Sequence, residues 1–170
     1  MENLKDQIKL LVELQGLDTH IFRLDDELES IPAAINKKEE EFKEKNTNLK
    51  KLEDELKALV VKRKEKEGDL ATKEGAIRKF QQQQNLVKTN KEYSALRDEI
   101  ERAKADNSII EEDILKIFDE IDAENKSIAK EKDFLKAEEA KFGEEKKRLA
   151  AEEGRLKGEL EGVKKQREDL

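Results

Sequence analysis

The residue types that ordinarily carry chemistry are sparse in this chain. It has one histidine, His20, and no cysteine among 170 residues. That removes disulfides, thiolate zinc sites and cysteine nucleophiles, and leaves His20 without the companions that a Cys/His metal site needs. His20 reads as a residue on a solvated helix face. Asp25 and Asp26 are adjacent carboxylates, but acid–base work needs a concave site around the pair, and solvated charge is the reading that fits. No glycine-rich phosphate loop occurs. One cluster differs. Residues 75–97 hold Arg78, Lys79, Lys88, Lys91 and Arg97 against Glu92 alone, a net of +4, so the rest of the chain carries −11 to reach the total of −7. The same segment contains Tyr93 and the amide run Gln81–Gln84 with Asn85. A basic, hydrogen-bonding segment suits an acidic protein surface or the phosphates of a nucleic acid. The competing reading is that five cations merely keep the segment soluble. No base-stacking platform is evident, because Phe80 belongs to an apolar series and Tyr93 is shared between packing and exposure.

The elements that position this cluster follow from composition and periodicity. Charged residues make up 46% of the chain, hydrophobic ones 35% and aromatic ones 4%, with a single proline and no tryptophan. An average domain is about 25% charged, so a compact enzyme core is excluded, whereas a long helix or coiled coil has this composition. No apolar run approaches the length of a membrane span. The N-terminus lacks an apolar signal core, which makes the cytoplasm the default location.

Apolar residues recur by sevens, the repeat of a supercoiled helix. Back from Leu170 the series reads Val163, Leu156, Leu149, Phe142, Leu135, Ile128, Ile121, Ile114, Asn107, Ile100 and Tyr93, with Asn107 its polar exception. In the first half one series runs Leu14, Ile21, Leu28, Ile35, Phe42, Leu49 and Leu56 onward to Ile77. A companion three residues later runs Leu17, Leu24, Ile31, Lys38, Lys45, Leu52, Leu59, Lys66, Lys73, Phe80 and Val87. The two halves do not share a phase: sevens from Gln84 land on Lys91, whereas the second half begins at Tyr93. Thr89 and Glu92 between them form a T-x-x-E capping box, the signature of a fresh helix start. The fold class is therefore all-α: a long antiparallel two-helix coiled-coil hairpin occupying 1–170 as one domain, with arm one about 3–87, a turn about 88–91 and arm two about 92–170.

A hairpin centred on residue 90 places residues opposite one another when their numbers sum to 180. Phe80 then faces Ile100, Leu59 faces Ile121, Ile31 faces Leu149 and Leu24 faces Leu156. Lys73 faces Asn107, a polar layer that pins register while lowering stability. Arms of about 80 residues imply a length near 120 Å at roughly 1.5 Å per residue. Pro32 predicts a kink in the first helix, which the unbroken phase through Leu28, Ile31 and Ile35 favours over a loop. Gly143, Gly154, Gly158 and Gly162 thin the last arm.

One seam position is irregular. In the second helix it passes from Leu96, Ala103, Ile110 and Ile117 to Glu124, Glu131, Glu138, Glu145, Glu152 and Glu159. Opposite them stand Leu56, Leu49, Phe42, Ile35, Leu28 and Ile21. Burying ionised carboxylates there is unfavourable, so the glutamates must lean outward or the arms must separate. Either outcome leaves apolar surface on the proximal first helix. Ile8, Leu11, Leu14, Ile21, Phe22 and Leu28 are the residues of a stem docking face for another domain or subunit; the plainer alternative is a loose two-stranded stem.

The run Leu86-Val87-Lys88-Thr89-Asn90-Lys91-Glu92-Tyr93-Ser94-Ala95-Leu96, followed by Glu99-Ile100, closely resembles the hallmark of bacterial coiled-coil hairpin proteins that carry a C-terminal C4 zinc ribbon. The opening Leu11-Val12-Glu13-Leu14-Gln15-Gly16-Leu17-Asp18 and the Ile31-Pro32 pair are similar to the same family. The resemblance spans essentially the whole chain, and the turn motif is its specific part. It implies a non-enzymatic adaptor that binds an RpoN-type alternative sigma factor or components of flagellar or type III secretion assembly, with RNA binding in one branch. The ribbon expected after about residue 170 has no cysteines here, so zinc is implied only for that missing domain and no cofactor for this chain. The contact residues the reading singles out are Arg78, Lys79, Lys88, Thr89, Asn90, Lys91, Glu92, Tyr93 and Arg97 at the tip. A protein partner is expected first, RNA second, without membrane insertion. A structural spacer or oligomerisation rod is a third class, and a monomeric hairpin and a homodimer both satisfy the pattern.

Overall fold

The computed structural model describes residues 2–170, and these form two long helices, α1 over Glu2–Leu86 and α2 over Asn90–Glu168. Glutamate and lysine are abundant in both, and both lose little side-chain freedom in a helix. Val87, Lys88 and Thr89 connect them, and the two helices form an all-α hairpin.

The helices are held together in two compact units, one of Met1–Asn46 with Asp133–Leu170 and one of Thr47–Lys132. In the first, Leu24, Ile31, Leu156 and Val163 form a buried cluster with Leu17, Ile21, Leu28, Ile35, Leu149 and Leu160 packed around it. In the second, Ile77, Ile100, Ile110, Ile114, Ile117, Ile121 and Ile128 are buried along the seam.

Ion pairs flanking the seam fix the register of each unit. In the first unit Asp18 pairs with Arg167, and Glu39 with Lys146 at 2.6 Å. In the second, Glu53 pairs with Lys132 at 2.7 Å. The residue numbers of all three pairs sum to 185. They occupy the position one residue after d, or four after a, on both helices, so a sum of 185 there requires a sum of 180 across the seam. The antiparallel pairing read from the heptads is the one observed.

α1 runs unbroken through Pro32. The ring still removes one intrahelical donor, that to the Leu28 carbonyl, and two residues earlier Ser30 Oγ donates to the Glu27 carbonyl at 2.6 Å. The expected turn, 88–91, is one residue longer than the observed 87–89 and ends two residues late. The Thr89 hydroxyl accepts the Glu92 N–H at 3.2 Å and its carbonyl accepts the Tyr93 N–H at 3.1 Å, so Thr89 is the N-cap and Asn90 already belongs to α2.

The arms remain together where glutamates face apolar residues. Glu124, Glu131, Glu138, Glu152 and Glu159 are half-buried and Glu145 is exposed. Four of the heads turn outward to cations on their own helix, Glu138 to Lys141, Glu145 to Arg148, and both Glu152 and Glu159 to Arg155, whereas Glu124 Oε1 stays buried without a hydrogen-bond partner. Phe42, opposite Glu138, and Phe142, opposite Lys38, lean across the layer to each other with ring centroids 5.3 Å apart. Lys38 and Lys146 close over these rings at 5.9 and 4.9 Å.

Candidate interaction surfaces

The turn is built by the cap. Thr89 ends the connection, so Lys88 precedes the α2 N-terminus and Lys91 and Glu92 lie in its first turn. An acidic residue there complements the helix dipole. Arg78, Lys79, Lys88, Thr89, Asn90, Lys91, Glu92, Tyr93 and Arg97 are all exposed. Among the described residues, Arg78, Lys79, Lys88 and Lys91 form no salt bridge, and Arg97 reaches only its neighbour Asp98, at 3.8 Å. Elsewhere Lys66, Lys132, Lys146 and Arg167 are engaged across the seam, Lys66 with Asp113 at 3.1 Å. The tip cations are therefore free to meet an external anion. Beside them Leu86 is 79% exposed and Tyr93 49%. Leu86 was not among the expected contact residues. Its place just outside both heptad series of α1, at the last residue of the helix, is the signal that could have found it.

The stem residues divide into two sets. Ile8, Leu11 and Phe22 are exposed, Phe22 at 75%. Leu14, Ile21 and Leu28 are half-buried, and Ile21 and Leu28 pack against the Leu24–Leu156 cluster. Spacing explains the split: Leu14, Ile21 and Leu28 belong to one seam series, whereas Ile8, Leu11 and Phe22 lie off it.

His20 is half-buried rather than solvated, with its Nε2 3.1 Å from Glu159 Oε1 on the opposite helix. It flanks the seam where the glutamate series ends, so a polar partner stands across from it. Arg63, at a seam position, stacks on Phe118 at 4.9 Å and meets Glu67 at 3.6 Å. Two carboxyls are held below their ordinary range: Glu53 by the hydrogen bond from Lys132, and Glu152 by that from Arg155. With no cysteine, the chain offers no ligand to a four-thiolate zinc centre. No helix among the described residues is long and apolar enough to cross a membrane.

No family model matches the chain, and no curated protein matches it. A solved structure does: CT398 from Chlamydia trachomatis, at 2.12 Å resolution, is 18% identical with a TM-score of 0.84, the match covering 99% of this chain and 72% of that one. The shared property is the fold. At 18% identity the likeness carries no further than that.

Proposed function

We propose that the chain is a non-enzymatic adaptor whose hairpin tip binds an acidic protein segment. The observation that carries this reading is the conjunction of four unengaged cations with exposed Leu86 and Tyr93 at one turn. Cations steer an acidic partner and set its orientation, while a leucine and a tyrosine supply the desolvated anchor from which most binding energy comes. Leu86 favours protein over nucleic acid, because phosphate recognition gains little from an exposed aliphatic side chain. The resemblance of residues 86–100 to the zinc-ribbon hairpin proteins makes an RpoN-type sigma factor, or a flagellar or type III secretion component, the partner class, and the cytoplasm the place.

The test is calorimetric titration of a purified RpoN-type sigma factor and of a single-stranded RNA into the 170-residue chain. Saturable sigma factor binding, lost in Lys88→Glu with Lys91→Glu and weakened in Leu86→Ala, supports the adaptor. RNA binding whose affinity falls steeply with salt, unchanged by Leu86→Ala, would replace it with a nucleic-acid arm. Binding indifferent to every change in residues 78–97 would remove the tip from either version.

A further inference from the structure

Residues 4–22 of α1 carry a second apolar face, directed away from the seam. Leu4, Ile8, Leu11, Val12 and Phe22 fall on it at helical spacing, and Gln15 and Thr19 fill its gaps. At 100° per residue the seven occupy an arc of about 100°. None is charged, in a chain that is 46% charged, and all seven are exposed. Asp26 and Glu29 end the stripe on the next turn. The arc is as wide as the core-facing stripe of an ordinary globular helix, so it has the form of a packing surface.

Its flanks differ in sign. Asp18 and Asp25 line one edge, and Lys9 and Arg23 line the other. When two identical helices pair antiparallel, like edges meet; when they pair parallel about a two-fold axis, opposite edges meet. Asp18 and Arg23 are five residues apart, the spacing that joins flanking charges between parallel strands in register. Arg23 is only loosely held in its own chain, 3.8 Å from Glu27, and Asp18, whose Oδ1 accepts from Arg167, keeps Oδ2 for a second donor. Covering the stripe from both sides would bury on the order of 600 Å² per copy, the lower bound of a specific interface.

We propose that this face pairs with the same face of a second copy of the chain, the two α1 helices side by side and parallel, with Asp18 of each copy against Arg23 of the other. The stripe and the seam lie on different sides of α1, so pairing leaves the Leu24–Leu156 core in place. The proposal does not depend on the reading of the tip.

The chain lacks cysteine, so a single introduced thiol reports on the pairing. Sedimentation equilibrium of the 170-residue chain should give a mass twice the 19.7 kDa of the monomer, with dissociation on dilution. Leu11→Glu with Phe22→Glu should weaken the dimer by about 30-fold or more while far-UV circular dichroism stays unchanged. Thr19→Cys should oxidise to a disulfide-linked dimer, because parallel pairing sets each residue near its own copy, whereas Lys147→Cys should not. A monomer at every concentration would overturn the proposal and assign the face to another occupant. So would a dimer indifferent to the double variant. A dimer that dissociates in the double variant but leaves Thr19→Cys unlinked would overturn the parallel arrangement.

Discussion

Replacing Asn107 with leucine should stabilise the protein. Asn107 sits in the seam at 5% exposure, and its Oδ1 is buried without a hydrogen-bond partner. A buried acceptor left unpaired costs about 1–3 kcal/mol, and asparagine-to-leucine removes that cost outright. Leucine also adds apolar burial, worth about 1.5–3 kcal/mol when complete. The site itself is nearly closed, but the facing residue is Lys73, whose side chain is 47% exposed and reaches Asp69 at 3.8 Å, so a leucine gains few apolar contacts across the layer. Roughly half the leucine term is realised, which brings the expected gain to about 2–4 kcal/mol, or a rise in Tm of roughly 5–15 °C. Thermal melts by circular dichroism and urea titration would read it, the midpoint moving while the slope holds. The converse variant, Ile114→Asn one heptad on, should lose about 3 kcal/mol by creating the same orphan. An unchanged or lower Tm in Asn107→Leu would refute the reasoning, since it would mean that Oδ1 is satisfied and the Lys73–Asn107 layer contributes to stability.

Leu24→Ala should cost about 3 kcal/mol in urea titrations, because Leu24, at 1% exposure, is the most deeply buried side chain of the core and truncation leaves a cavity among Ile31, Leu156 and Val163. A Cβ at Gly154, Gly158 or Gly162 would meet nothing within 4 Å, so each change to alanine should raise stability by up to about 1 kcal/mol, read as a cumulative rise in Tm across the triple variant. The Glu53 carboxyl, held below its ordinary value of 4.5 by Lys132, contributes stability that is complete above 4.5 and is lost as pH falls through the lowered folded value. NMR titration should find that carboxyl ionising below 4.5 and returning towards it in Lys132→Met.

The seam was legible in the sequence because heptad spacing depends only on which residues share a face. Ile31 and Leu149, or Leu24 and Leu156, could be paired from their numbers alone. The turn was legible through the phase break and the threonine of its capping box. What spacing cannot convey is how side chains lean within a layer. Phe42 and Phe142 each stand opposite a polar residue, and only the geometry shows that they meet diagonally and hold the arms closed. His20 likewise looked solvated because its partner, Glu159, is 139 residues away. The stem face was legible as a surplus of apolar residues. Its division into seam residues (Leu14, Ile21, Leu28) and outward residues (Ile8, Leu11, Phe22) was already in the spacing, since only the first three belong to a heptad series. Leu86 opens the turn motif and lies outside both heptad series, so its exposure at the last residue of α1 was also open to reading from the spacing.

The two arms pair in opposite directions at one fixed register, and Val87–Thr89 joins them. A cysteine-free chain allows this to be measured by engineered disulfides. Leu59→Cys with Ile121→Cys, whose numbers sum to 180, should oxidise rapidly within one chain. Leu59→Cys with Ile128→Cys, one heptad displaced by about 10 Å, should not. Rapid closure of the displaced pair, or none in the matched one, would contradict the register and with it the placement of the tip.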